Sequence, residues 1–136
     1  NVNFFEADGV HFVDLPGYGF AQRSKGERDR WAQLIGDYFD LDRSFNLVVS
    51  LVDIRHDPSK LDHQMIEFLQ EGEFPFIVAL TKADKLSRNQ QAKQTAAIKR
   101  QLNVPAENII VTSSESGQGI EVLREIIEQY CLGEEE

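Results

Sequence analysis

FNLVVSLV, residues 45–52, is apolar at six of its eight positions and follows neither a strand's period of two nor a helix's period of 3.6. A short apolar run of this kind, rich in β-branched residues, reads as a strand buried on both faces. Such a strand belongs to a parallel sheet with helices on each side. Two more runs repeat the signal downstream: FPFIVAL at 74–80, with Pro75 at its start where a missing N–H is tolerated, and NIIV at 108–111.

The segments between these runs read as helices. Asp57-Pro58 offers an N-cap followed by proline at the first helical position, and Leu61, Met65, Phe68 and Leu69 form the apolar stripe of the helix that follows. Ser87 and Gln90 have capping-box spacing and open a helix running to about Leu102. A last helix carries Ile120, Leu123, Ile127 and Tyr130 on one face. Upstream of residue 45, Asn3–Ala7 and Val10–Asp14 read as two strands joined by Asp8-Gly9, a tight-turn dipeptide. A glycine-rich stretch follows, then a helix from about Glu27 with Trp31, Leu34, Ile35 and Tyr38 toward the core. The order ββ-α-β-α-β-α-β-α predicts an open three-layer α/β domain, mostly parallel, with one antiparallel edge hairpin.

Composition narrows the function. The chain has 136 residues and 41% apolar content, enough for one domain with a real core. A formal charge of −9 argues against non-specific binding to DNA, RNA or anionic lipid, though a local basic patch stays compatible with docking. A single cysteine allows no intrachain disulfide, no apolar run reaches transmembrane length, and the N-terminus reads as neither a basic leader nor a signal peptide. The expectation is a cytoplasmic protein with no membrane and no DNA partner.

Ligands of parallel α/β sheets gather at the C-terminal ends of the strands, and four polar clusters fall there. Asp14-Leu15-Pro16-Gly17 combines a carboxylate able to hold Mg2+ through water with a glycine whose backbone N–H can approach a γ-phosphate. In Thr81-Lys82-Ala83-Asp84, the Asp84 carboxylate can accept N1–H and the exocyclic amine of guanine, a donor pair that adenine lacks. The Lys82 stem can lie along a purine while its ammonium ties loops together, and the Thr81 hydroxyl can reach a neighbouring strand. Thr112-Ser113-Ser114 is small enough for backbone N–H groups to meet guanine O6. The fourth cluster, Asp53 to Pro58, reads equally as a functional group or as a helix cap with a local ion pair. No zinc spacing is present, and His11 and His63 read as structural or exposed. A phospho-receiver reading with Asp53 as acceptor fails for want of an acidic pair at the end of the first strand.

The order of these clusters on this scaffold resembles the EngB family (YihA/YsxC) of ribosome-biogenesis GTP-binding proteins. That family sits in the Era-like TrmE-Era-EngA-EngB-Septin-like GTPase superfamily. HFVDLPGYGFA at 11–21, VDIRHDPS at 52–59, TKADKLS at 81–87 and TSSESGQGI at 112–120 carry the resemblance. It implies a P-loop NTPase-type G domain, of which residues 1–136 would be the C-terminal two thirds. Asp14 to Gly17 would contact the magnesium shell and γ-phosphate, and residues 18 to about 30 would form a switch. Lys82 and Asp84 would read guanine, Thr81 would brace the loop, and Ser113 and Ser114 would touch the base from the backbone. GTP or GDP would be the ligand, Mg2+ the cofactor, and a large-subunit ribosomal precursor the partner. The role would be subunit assembly and, in bacteria, normal division and septation.

Two departures matter, the first from the family pattern and the second from the wider GTPase class. No GxxxxGK followed by Ser or Thr occurs in the 136 residues, so the phosphate-cradling loop and the N-terminal strand before it are missing from the pattern. The parent protein is therefore expected to be a GTPase, and this stretch by itself inactive. Tyr18 also follows Gly17 where Ras-like enzymes place a water-orienting glutamine. The alternative function is a non-catalytic α/β interaction module that retains only base-recognition loops.

Overall fold

The computed structural model describes residues 3–7, 10–14, 29–30, 33 and 47–131. Strand β1, Asn3–Ala7, pairs antiparallel with β2, Val10–Asp14, in the register Asn3↔Asp14 through Ala7↔Val10. Asp8 and Gly9, where the tight turn is expected, lie outside the described residues. Asp29, Arg30 and Gln33 have helical backbone. Leu15 to Gly17, and the expected core face of Trp31, Leu34, Ile35 and Tyr38, lie outside the described residues.

The chain divides into two units, residues 1–46 with 127–136 and residues 47–126. The second holds a three-stranded parallel sheet in the order β3 (Val48–Asp53), β4 (Phe76–Thr81), β5 (Ile109–Val111). Register runs Val48↔Phe76 to Asp53↔Thr81 on one side of β4 and Val78↔Ile109 to Leu80↔Val111 on the other. Helices α1 (Lys60–Glu71), α2 (Arg88–Leu102) and α3 (Ile120–Cys131) follow β3, β4 and β5 in turn. The β-α-β order is the one the apolar runs predict.

β4 is central, and its residues 76–80 are all buried, so both faces are covered. β3 behaves differently from its apolar sequence. Ser50 and Val52 are buried, but Leu51 is 60% exposed. Among the described residues β3 pairs with β4 alone, and its most buried side chains are Ser50 and Val52. Among the described residues the largest fully buried apolar side chains are Ile54 just past β3, Val78 and Leu80 of β4, Ile66 and Leu69 of α1, and Ile98 of α2. On α1 the stripe is Leu61, Met65, Ile66 and Leu69, with Phe68 half-buried and stacked 5.6 Å from Phe74.

One cap differs from expectation. Helix α1 is capped by Ser59, not Asp57. Ser59 Oγ accepts from the Asp62 N–H at 3.1 Å, and the Asp62 carboxylate accepts from the Ser59 N–H at 2.9 Å. With Asp57 as cap the third helical residue would be Lys60, which has no acceptor to return, so the reciprocal box wins. Ser87 and Gln90 form the predicted box on α2, at 3.2 and 3.0 Å. Among the described residues no helix is long and apolar enough to cross a membrane.

Candidate functional site

Because β3, β4 and β5 run parallel, their C-terminal ends lie along one edge of the sheet, and the polar residues that follow each strand meet there. Thr81, the last residue of β4, donates its hydroxyl to Val52 O at 3.4 Å and accepts the Ile54 N–H on its carbonyl at 3.0 Å. Thr112 Oγ1 donates to Leu80 O at 3.0 Å, while the Ala83 N–H donates to Thr112 O at 3.0 Å. The Thr81–Asp84 loop is thus fastened to the strands on both sides.

Lys82 turns the chain out of β4 in the left-handed region, at φ 64° and ψ 34°. A residue with a Cβ is disfavoured there, and the fastenings on either side hold it. Its ammonium faces Asp53 at 3.7 Å, so it joins the ends of two neighbouring strands. Asp53 also accepts a fork from Arg55, at 3.0 Å from Nε and 2.8 Å from the terminal nitrogen, and the Arg55 backbone N–H at 2.9 Å. The Arg55 hydrogen bonds hold the Asp53 carboxyl at a pKa of about 2, against a smaller opposing effect of burial. The same pairing raises the pKa of Arg55. The VDIRHDPS stretch therefore contains an ion pair that reaches the Lys82 loop, and its Asp57 is not a cap.

A short 3-10 turn, Ala83–Lys85, follows Lys82 and presents Asp84. Asp84 Oδ1 accepts the Ser113 hydroxyl at 2.7 Å, and Lys85 lies 3.9 Å from Oδ2. The Ser113 hydroxyl holds the Asp84 carboxyl below the usual carboxylate range, with its own backbone N–H, Lys85 and Arg55 adding to the effect and burial opposing it. Asp84 is therefore an ionised, oriented acceptor at neutral pH.

Ser113 is fully buried. Its N–H donates to Gln118 O at 3.0 Å, and its hydroxyl both orients Asp84 and accepts the Ser116 N–H at 3.0 Å. Both the hydroxyl and the backbone N–H of Ser113 are therefore engaged within these loops. Among the hydrogen bonds of the described residues, none uses the N–H of the exposed Ser114. Gln91 is a participant the sequence reading missed. Buried on α2, it donates to Ala83 O at 2.8 Å and Leu86 O at 3.2 Å and accepts from Gln118 at 2.9 Å, joining both loops through one side chain. A glutamine next to the capping residue Gln90 carries no sequence signal for that.

Thr81, Lys82, Ala83, Asp84, Thr112, Ser113 and Ser114 are thus assembled at one sheet edge. Asp14 closes β2 in the other unit. Among the described residues no three His, Cys, Asp or Glu side chains come together as a metal site.

The family model for 50S ribosome-binding GTPases matches residues 1–82. The chain is 47% identical to the probable GTP-binding protein EngB of Streptococcus pneumoniae (strain Hungary19A-6) over 122 residues. The chain belongs to the 50S ribosome-binding GTPase family. The alignment covers 88% of this chain and 63% of the relative, so the chain spans less than two thirds of that protein's length. Its fold is that of the crystal structure of a probable GTP-binding protein engB, with a TM-score of 0.74 at 22% identity, covering 96% of this chain and 82% of that one. Era, solved with MgGDPNP and nucleotides 1506–1542 of 16S ribosomal RNA, superposes with a TM-score of 0.65 at 16% identity, covering 99% of this chain and 45% of that one. These likenesses show the fold, a three-layer G domain of the P-loop NTPase type.

Proposed function

We propose that this chain supplies the base-reading part of a guanine-nucleotide switch that acts in large ribosomal subunit assembly and, in bacteria, in normal division and septation. The observation that carries the base reading is the pairing of Asp84 with the buried Ser113 hydroxyl, beside Lys82 at the strand ends. An ionised carboxylate held from behind accepts two parallel N–H donors, and guanine presents such a pair while adenine does not. The ribosomal role rests on membership of the 50S ribosome-binding family. A cytoplasmic site of action accompanies that role.

In this reading residues 1–136 are the C-terminal two thirds of an EngB-type G domain. The phosphate loop belongs to the part of the relatives' length that this chain does not match. By the resemblance, Asp14 would hold Mg2+ through water and Leu15, Pro16 and Gly17 would belong to the phosphate site. Magnesium neutralises phosphate charge when bound. The full-length protein hydrolyses GTP to GDP and phosphate, whereas the 136 residues alone do not, because no GxxxxGK sequence is present to cradle the β-phosphate. Titration of fluorescent GDP and GTP into the 136-residue chain and into the full-length protein tests this. The expected result is tight binding by the full-length protein only. Micromolar GTP binding by the 136 residues would overturn it.

A further inference from the structure

Helix α2 carries four of the chain's 14 basic residues, Arg88, Lys93, Lys99 and Arg100, and none of its 23 acidic ones. In a chain of net charge −9 that is a local reversal of sign. Among the described residues none of the four forms an ion pair, although ion pairs link Arg55 and Lys82 to Asp53 and Lys85 to Asp84. Helix stability accounts for only part of this charge. Lys99 and Arg100 in the last turn suit the helix macrodipole, but Arg88 at the first helical position opposes it, and the first turn has no acidic residue. Arg88, Lys93 and Arg100 are exposed and Lys99 is half-buried. The remaining exposed residues of α2 are Asn89, Gln90, Ala92, Ala96 and Gln101. They include none of the aromatic or large aliphatic anchors on which protein interfaces depend. Cations interspersed with amides are the groups that contact nucleic-acid phosphate and sugar.

We propose that the outer face of α2 is an RNA-docking surface whose four cations pair with phosphates of large-subunit ribosomal RNA. The choice of RNA rests on the ribosomal reading above, whereas the surface itself rests on the charge pattern. Binding through phosphates releases counterions, so it weakens steeply as salt rises.

The test uses the full-length protein and in vitro transcribed large-subunit ribosomal RNA, with affinity measured across a salt series. A variant with Arg88→Gln, Lys93→Gln, Lys99→Gln and Arg100→Gln should bind at least ~10-fold more weakly near physiological salt. Its slope of log affinity against log salt should be shallower by about three, at roughly 0.7–0.9 for each phosphate no longer neutralised. Fluorescent GDP affinity should not change. A charge-retaining Arg88→Lys, Arg100→Lys variant should keep the wild-type slope. A neutral variant with wild-type affinity and slope overturns the surface while leaving the ribosomal reading standing. Loss of binding to ribosomal particles with unchanged binding to naked RNA overturns RNA as the partner in favour of a ribosomal protein. A wild-type protein that does not bind the RNA removes both, and unchanged GDP binding then separates the ribosomal part of the reading from its nucleotide part.

Discussion

Gly119 sets how closely the last loop approaches the sheet. Its φ is +73°, and a Cβ placed there would sit 2.0 Å from Val111 O. Neither the backbone conformation nor the space admits a side chain. Gly119→Ala should destabilise the fold by about 2–4 kcal/mol, read as a lowered urea midpoint; an unchanged midpoint would contradict the close approach. Asp53 gives a prediction in pH. Its carboxyl is held at about 2 by Arg55, below its ordinary value of 3.8. A folded-state pKa below the unfolded one stabilises fully above about pH 4, and the benefit disappears as pH falls toward the folded value. Discounted for solvent screening it amounts to about 1 kcal/mol. Asp53→Asn should therefore lower stability at pH 7 by that amount, with the gap from wild type narrowing between about pH 4 and pH 2. A gap constant over that range would show that the ion pair contributes nothing. Residue identity makes part of this legible: Thr81 and Asp84 stand out because their chemistry suits a strand-end loop. The role of Ser113 does not, because its hydroxyl meets a carboxylate 29 residues away and no spacing rule links them.

Among the elements, helices announce themselves best where a local hydrogen-bond pattern fixes the end. Ser87 with Gln90 is such a pattern. The start of α1 departs from its sequence signal because Asp-Pro is itself a strong start signal, and only the return bond from Asp62 favours Ser59. Strand positions are legible from apolar runs, but their ends shift: β3 spans Val48–Asp53, ending one residue past the 45–52 run. A run read as buried on both faces proves so for β4, whereas in β3 Leu51 is exposed, because a strand's faces are buried by what packs on them and not by its own apolarity. At this scale Gln91 couples α2 to the two loops at the site. Gln91→Leu would leave Ala83 O and Leu86 O without that donor, and Gln118 without its acceptor. Ala83 O keeps the Leu86 N–H, so a cost of about 1–2 kcal/mol follows from the lost bonds. Chemical denaturation measures it, and weaker GDP binding by the full-length protein should accompany it; a fully stable variant would refute the coupling.

For the molecule as a whole, the β-α-β order is readable because each buried parallel strand needs a helical crossover, and that alternation leaves a periodic trace in the sequence. The meeting of Asp53, Lys82, Asp84 and Ser113 follows from it, since parallel strands deliver their C-terminal ends to one edge. What no pattern supplies is the support behind the site: the Arg55 fork, the Ser113 hydroxyl and the Gln91 amide. Those interactions depend on distances that emerge only after folding. The proposed base recognition turns on Asp84 as the guanine reader. Asparagine keeps one acceptor and replaces the other with a donor, which clashes with the guanine 2-amino group but matches the 2-carbonyl of xanthine. The most direct measurement is competitive titration of GDP and xanthosine diphosphate against the full-length protein and its Asp84→Asn variant. The variant should lose GDP affinity by about 10²-fold or more and prefer xanthosine diphosphate, as expected when charge-assisted hydrogen bonds to guanine are removed and new ones to xanthine form. Undiminished GDP affinity with no gain for the xanthine nucleotide would contradict the assignment.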